Sequence, residues 1–243
     1  MTGTSAPDPP GPGDPGITGP APSTAGPTTA VAGDAGDTGP PAKTGLIAGV
    51  DGRVRCWWGG STPDYVDYHD TEWGVPLHGD DALYERMCLE AFQSGLSWLT
   101  ILRKRPGFRR AFADFRIHAV ASFDERDVDR LLADASIVRN RAKIQASIHN
   151  ARVAAELDGG LDALLWSFAP AGPRTRPVAI GDVVAVTAES TAMAKDLKRR
   201  GFRFVGPTTA YALMQATGMV DDHLTGCWRA AQDTARADPA AAG

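Results

Sequence analysis

Between Asp80 and Trp98 the apolar side chains return every third or fourth position, with Leu83, Met87, Ala91 and Phe92 marking one stripe. That period is helical. Helical patterning recurs through most of the chain after Val54, while strand patterns are nearly absent, so the sequence reads as an all-α fold. The stretch opens with Asp80 and Asp81, which suit an N-cap and the positive end of a helix dipole. Gly95 breaks the pattern and Trp98 follows. Glu90 sits within it, beside Leu89 and three residues after Met87. A carboxylate so close to a core is costly unless it is paired or used. An acid near an aromatic plate at a helix end can hold a flat, electron-poor or cationic ring.

A chain of 243 residues allows one sizeable domain or two small ones. Its formal charge of −4 looks unsuited to nucleic acid, but the acid is unevenly placed. Residues 1–45 hold Asp8, Asp14, Asp34 and Asp37 against Lys43 alone, which leaves the rest near neutrality with locally bunched basic residues. Three cysteines, Cys56, Cys88 and Cys227, do not make a disulfide framework in a chain of this length. Reduced thiols in a cytoplasmic protein fit better, and metal binding stays open. No apolar run approaches the roughly 20 residues of a membrane span, and the N-terminus lacks the pattern of a secretory signal.

Residues 1–45 are Pro, Gly, Ala, Thr and Asp with almost no large apolar side chain, the composition of a disordered tail. Order is expected near Val54, with the domain bounded at 46–231 and a second tail at 232–243. Pro63 to His69 reads as a capped turn or short helix, and His69 to Pro76 as an ordered loop. Ile101 to Phe115 reads as helix in two pieces, broken at Pro106-Gly107, with Arg103, Lys104, Arg105, Arg109 and Arg110 as a basic face. Asp124 caps a helix that turns Val128, Leu131, Leu132 and Ala135 inward. After a break at 136–138, a long amphipathic helix carries Ile144, Ile148 and Ala151. Short helices follow at Leu161–Phe168 and at Thr187–Arg200, the latter ended by Gly201. Pro207 suits the first turn of one more helix.

Two residue groups invite a chemical reading. His223 and Cys227, four apart, share one helical face, and Cys56 and His69 lie near the other end of the ordered chain. Two Cys and two His make a closed tetrahedral zinc set of the structural kind, although buried thiols and ordinary histidines account for the spacing as well. Such a site would staple the two ends of the domain. The turn leading to Arg139, Arg141 and Lys143 makes a plausible backbone-phosphate clamp, with Ser136 at its start; an ordinary helical hairpin with a solvated basic face is the alternative.

Taken together, these stretches resemble the bacterial DNA-3-methyladenine glycosylase I proteins, of the helix-hairpin-helix glycosylase superfamily. The resemblance is carried by Arg55-Cys56, by Tyr68-His69-Asp70-x-Glu72-Trp73-Gly74-Val75-Pro76, and by Leu89-Glu90-x-x-Gln93-x-Gly95-Leu96-Ser97-Trp98. It continues through Leu165-Trp166-Ser167-Phe168 and Lys198-Arg199-x-Gly201-Phe202-x-Phe204-Val205-Gly206, and closes with Asp222-His223-x-x-x-Cys227. The resemblance implies excision of 3-methyladenine from alkylated double-stranded DNA; nothing in the sequence indicates an oligomer, so a monomer is expected. It implies one structural zinc on Cys56, His69, His223 and Cys227. It also implies a base pocket of Glu90, Trp98, Tyr68, Trp58 and Tyr65, with Glu90 as the catalytic residue. The hairpin maps near Ala135 to Lys143, and here the chain departs from the family pattern: Ser136 and Ala142 stand where glycine is usual.

A target base inside a duplex must be flipped out, at a cost of a few kcal/mol. Methylation at N3 makes the adenine cationic, so the base leaves neutral and no strong general acid is needed. Trp98 and Tyr68 can stack on the ring, with cation–π attraction of about 0.5–2 kcal/mol, and Glu90 can accept from its amino edge. No lysine of the hairpin is placed as a Schiff-base nucleophile, so a monofunctional enzyme is expected. On the residues alone, Glu90 is more often the partner of a nearby Arg and the aromatics are more often core. The alternative function is a non-catalytic protein that binds lesions or DNA backbone on the same scaffold.

Overall fold

The computed structural model describes residues 44–230, Pro173 excepted. The tails expected at 1–45 and 232–243 therefore lie outside the described residues, apart from Thr44 and Gly45. Gly45 belongs to the ordered chain: it is buried, and its carbonyl accepts from the Trp57 amide at 2.9 Å. A Cβ there would lie 2.3 Å from Cγ1 of Ile180, so only glycine permits this approach. Order thus begins before Val54. Strand β1 (Leu46–Ala48) pairs antiparallel with β2 (Val54–Cys56), a small hairpin that the helical reading did not include.

Everything else regular among the described residues is helical. Thr62 caps α1 (Pro63–Thr71), its hydroxyl accepting from the Tyr65 amide, and Pro63 takes the first turn. Helix α2 (Asp80–Gln93) is the central element; Leu83, Met87, Leu89 and Phe92 on it are fully buried. Its N-cap is Gly79, not an aspartate. Asp80 instead accepts from the Asp162 amide at 2.8 Å and Asp81 from the Ile117 amide at 2.8 Å, so the pair ties down the starts of two other helices. A carboxylate aimed at the first turn of any helix meets free N–H groups and the positive end of its dipole.

Helix α3 (Trp98–Ala111) runs unbroken through Pro106, against the expected break. Pro106 removes one backbone bond, but Ile101, Leu102, Phe108 and Ala111 bury the face on both sides of it. Gly107 is required by packing: a Cβ there would stand 2.6–2.8 Å from the side chain and carbonyl of Ser136. The helix ends at Ala111, short of the expected Phe115. Ala113, Asp114 and Phe115 turn the chain with φ of 51°, 55° and 54°. That left-handed turn lets Phe115 stack on Phe112, with ring centroids 5.3 Å apart. Burial of Phe115 offsets a conformational cost of about 1–2 kcal/mol per residue.

Helix α4 (Ile117–Ala121) precedes α5 (Glu125–Ala133), which has the expected Asp124 cap, closed reciprocally by Asp127. Val128 and Leu131 face inward; Ala135 lies past the helix end and is exposed, and Ile137 fills the core position instead. Helix α6 (Arg141–Ala155) starts at the Asn140 cap. Helices α7 (Gly160–Trp166), α8 (Ala188–Arg199) and α9 (Pro207–Ala216) complete the order. Helix α2 packs against α3, α6, α7 and α9, which puts Glu90 at the middle of the helical body. His223 and Cys227 are not on a helical turn. Asp221 accepts from the His223 amide at 3.0 Å, and Gly226 reverses the chain at φ 94° before Cys227. No helix of the described residues is long and apolar enough to cross a membrane.

Candidate functional site

Helix α1 and the 3-10 turn before it (Trp57–Gly60) carry most of the aromatic wall. Tyr65, Tyr68 and His69 lie on the buried side of α1, at helical spacing. Trp58 packs edge-on to Tyr65 at 5.7 Å and tilted on Tyr68 at 6.2 Å. Tyr68 in turn lies 5.5 Å from Trp98, the first residue of α3. The Tyr65 hydroxyl accepts from the Leu99 amide at 3.0 Å, so this side chain also holds the start of α3. The indole N–H of Trp98 is buried and has no partner among the described residues. A buried donor left unpaired costs about 1–3 kcal/mol, which a bound acceptor would relieve.

Glu90 is 6% exposed and takes no hydrogen bond and no ion pair among the described residues. Burial pushes its carboxyl up to about 8, with only the Arg86 charge opposing. Glu90 also acts on Tyr68, whose phenol is pushed up chiefly by burial. Ring contacts bring Trp58, Tyr65, Tyr68 and Trp98 together, from the turn before α1, from α1 and from α3, and Glu90 of α2 is close enough to Tyr68 to act on its phenol.

Sequence reasoning missed the charged group next to them. Arg86, one helical turn before Glu90, donates to Glu72 at 2.5 Å, and Arg105 grips the same carboxylate with two bonds of 2.6 Å. The i−4 spacing of Arg86 from Glu90 was the available signal. Trp73 was also passed over; its ring lies 5.0 Å from Trp58 and 4.6 Å from His223.

Beyond this aromatic wall lies a Cys/His cluster. Ligand atoms of Cys56, His69 and Cys227 all lie within 4.8 Å of one another, and all three residues are buried. The Cys227 sulfur is 3.5 Å from Nε2 of His69. The Cys56 thiol, and to a lesser degree His69, draw Cys227 toward its thiolate, whereas the Cys56 thiol is pushed up. His223 stands outside that tight group, yet its ring is 4.8 Å from that of His69. Each histidine binds a carboxylate through Nδ1: His69 to Asp70 at 2.8 Å, His223 to Asp221 at 2.7 Å. Nε2 of His223 is buried without a partner among the described residues. Carboxylate on one ring nitrogen and an open second nitrogen is the arrangement of metal-binding histidines.

The expected phosphate clamp is only partly on the surface. Lys143 turns inward, 8% exposed, and its Nζ donates to the carbonyls of Phe92 at 2.9 Å and Ser94 at 2.7 Å. It closes the C-terminal end of α2 rather than facing solvent. Arg141 is exposed but paired with Glu125 and Asp129 of α5. Arg139 is exposed. The Ser136 amide donates to Asp134 at 2.8 Å, and neither Ser136 nor Ala142 has positive φ, so the turn needs no glycine at either position.

Comparison with known proteins agrees with this arrangement. Residues 58–230 match the family model for methyladenine glycosylase. The chain is 44% identical over 177 residues to DNA-3-methyladenine glycosylase 1 of Escherichia coli, covering 71% of this chain and 95% of that protein. It is 42% identical over 178 residues to the DNA-3-methyladenine glycosylase of Haemophilus influenzae, covering 72% and 96%. A solved structure of 3-methyladenine DNA glycosylase I from Staphylococcus aureus, concerned with recognition of 3-methyladenine, matches with a TM-score of 0.68 at 36% identity, over 72% of this chain and 95% of that one. By its sequence over most of its length, and by the structure it shares with these proteins, the chain belongs to the methyladenine glycosylase family.

Proposed function

We propose that this protein is a DNA-3-methyladenine glycosylase that hydrolyses the N-glycosidic bond of 3-methyladenine in double-stranded DNA. The observation that carries the reading is Glu90: a buried carboxylate with no ion pair among the described residues, acting on Tyr68, whose ring in turn lies 5.5 Å from that of Trp98. A core built for stability alone would place an apolar residue there. The flipped base would stack on Tyr68 and Trp98, and Glu90 would accept from the amino edge of the cationic ring. The bond from the sugar carbon to the base nitrogen breaks, its electron pair neutralises the ring, and water adds at the sugar carbon with loss of a proton. Normal adenine lacks the positive charge and gains less from Glu90, so the charge supplies the discrimination.

A single chain carries every residue of this pocket. Strand cleavage through a hairpin lysine is not part of the proposal, because Lys143 is committed to the α2 carbonyls. The α5–α6 pair, joined by residues 134–140, is the proposed helix-hairpin-helix element, with Ser136, Arg139 and the end of Arg141 toward DNA phosphates. Cys56, His69, His223 and Cys227 are the proposed ligands of one zinc; the open Nε2 of His223 and the thiolate character of Cys227 support this. Four protein ligands leave zinc no open position, so its contribution would be structural.

The deciding experiment is incubation with methylated DNA and chromatography of released bases. Release of 3-methyladenine supports the enzyme. Binding to the same DNA without release would make the protein a lesion binder and remove the catalytic reading.

A further inference from the structure

Resting on that reading, we propose that Arg86 is a positioning residue of the base pocket: its buried guanidinium, held by Glu72, draws the Glu90 carboxylate one helical turn away toward its charged form, against burial, and braces Tyr68. A cation beside a pocket for a cation is at first sight misplaced, since it repels the ligand. Its geometry gives it a different role. Arg86 is 7% exposed, and its guanidinium carbon lies 5.4 Å from the centre of the Tyr68 ring. Nη2 binds Glu72, while Nη1 is buried and has no partner among the described residues. Glu90 lies one helical turn on, also buried, with no hydrogen bond or ion pair to the described residues. Two groups of opposite sign, each incompletely satisfied, share one face of α2.

The local charge balance decides which effect wins. Arg86 and Arg105 share the single carboxylate of Glu72, which their bonds hold well ionised against the effect of burial. One positive charge is left over, and an ionised Glu90 makes the cluster neutral. A neutral Glu90 would leave an uncompensated buried cation, and the arriving base would add a second. Around Arg86 lie Tyr68 and Glu72, from α1 and its C-cap, and Arg105 of α3, which shares the Glu72 carboxylate. On α6 the inward cation is Lys143, held by two carbonyls. Helix α9 carries no charged residue, and its Tyr211 donates to Asp222. Burial alone raises the Glu90 carboxyl, and Arg86 is the cation that lowers it.

The experiment compares single-turnover release of 3-methyladenine by the parent, Arg86→Met and Arg86→Lys between pH 6 and 10, with carbon-13 titration of the Glu90 carboxyl in each. The expected result is an acid limb displaced upward by about one pH unit in Arg86→Met, which lowers the rate at pH 7 about tenfold. The rates converge at pH 10, and lysine restores most of the parent profile. A merely structural role would scale the rate at every pH and leave the limb in place; that outcome, or an unmoved Glu90 titration, overturns the proposal. Should methionine prevent folding, Arg86→Gln keeps a bond to Glu72 without the charge and is read in the same way. If the parent releases no 3-methyladenine, the excision reading fails, and the Glu90 titration still decides the role of Arg86.

Discussion

Burial works against the role proposed for Glu90, because a carboxylate meant to meet a cationic ring is held protonated up to about pH 8. The unfolded chain releases this proton near the ordinary Glu value of about 4.3 and the folded chain near 8, so between those limits the native state binds the extra proton. Stability attributable to Glu90 therefore falls as pH rises through that window, and the loss is complete above it. Glu90→Gln removes the penalty. Its melting temperature should match that of the parent at pH 4 and exceed it at pH 8, by the equivalent of a few kcal/mol. The same variant should lower 3-methyladenine release on the order of 10²-fold, the scale seen when one electrostatic contact to a transition state is removed. Calorimetry at two pH values and a base-release assay check the two halves. A variant that is stabilised but inactive identifies a residue kept for function.

Among the elements, the α5–α6 connection separates structural from DNA-facing cations. Lys143 satisfies two carbonyls at the end of α2, groups that a helix terminus otherwise leaves open. Lys143→Met should cost about 1–3 kcal/mol, because the buried Phe92 carbonyl loses its donor while the exposed Ser94 carbonyl can turn to water. It should leave the salt dependence of DNA binding unchanged. Arg139→Ala, at an exposed position of the turn, should leave stability within about 0.5 kcal/mol. It should reduce the slope of log affinity against log salt by about one, as loss of one phosphate contact does. Denaturant melts and salt titrations of DNA binding measure both. If Lys143→Met reduced the slope as Arg139→Ala is expected to, the inward placement of Lys143 would have no functional meaning.

For the molecule as a whole, the Cys/His cluster joins the segment after β2 to the stretch after α9. Trp58 and Trp73 bridge it to the proposed base pocket, their rings 5.2 Å from His69 and 4.6 Å from His223 respectively. Metal there would hold the aromatic wall against α2, with a contribution to folding on the order of 10 kcal/mol. One zinc per chain is the expected result of elemental analysis. His223→Ala should lose most of it and melt at a markedly lower temperature, and chelation should do the same to the parent. A variant equally stable without metal would refute the staple. The helical class, the α2 stripe and the Asp124, Thr187 and Pro207 starts could all be read from the chain, because each depends on residues within one or two turns. The tertiary structure alone decided the remainder. Pro106 stays helical because core contacts flank it, Asp80 and Asp81 serve helices distant in sequence, and Lys143 turns inward because two carbonyls of α2 lie within its reach. Arg86, on an ordinary helical face in the sequence, becomes a buried cation only when α1 and α3 close over it. Local pattern records what a residue does for its own helix; where its charge finally rests depends on which distant groups folding brings to it.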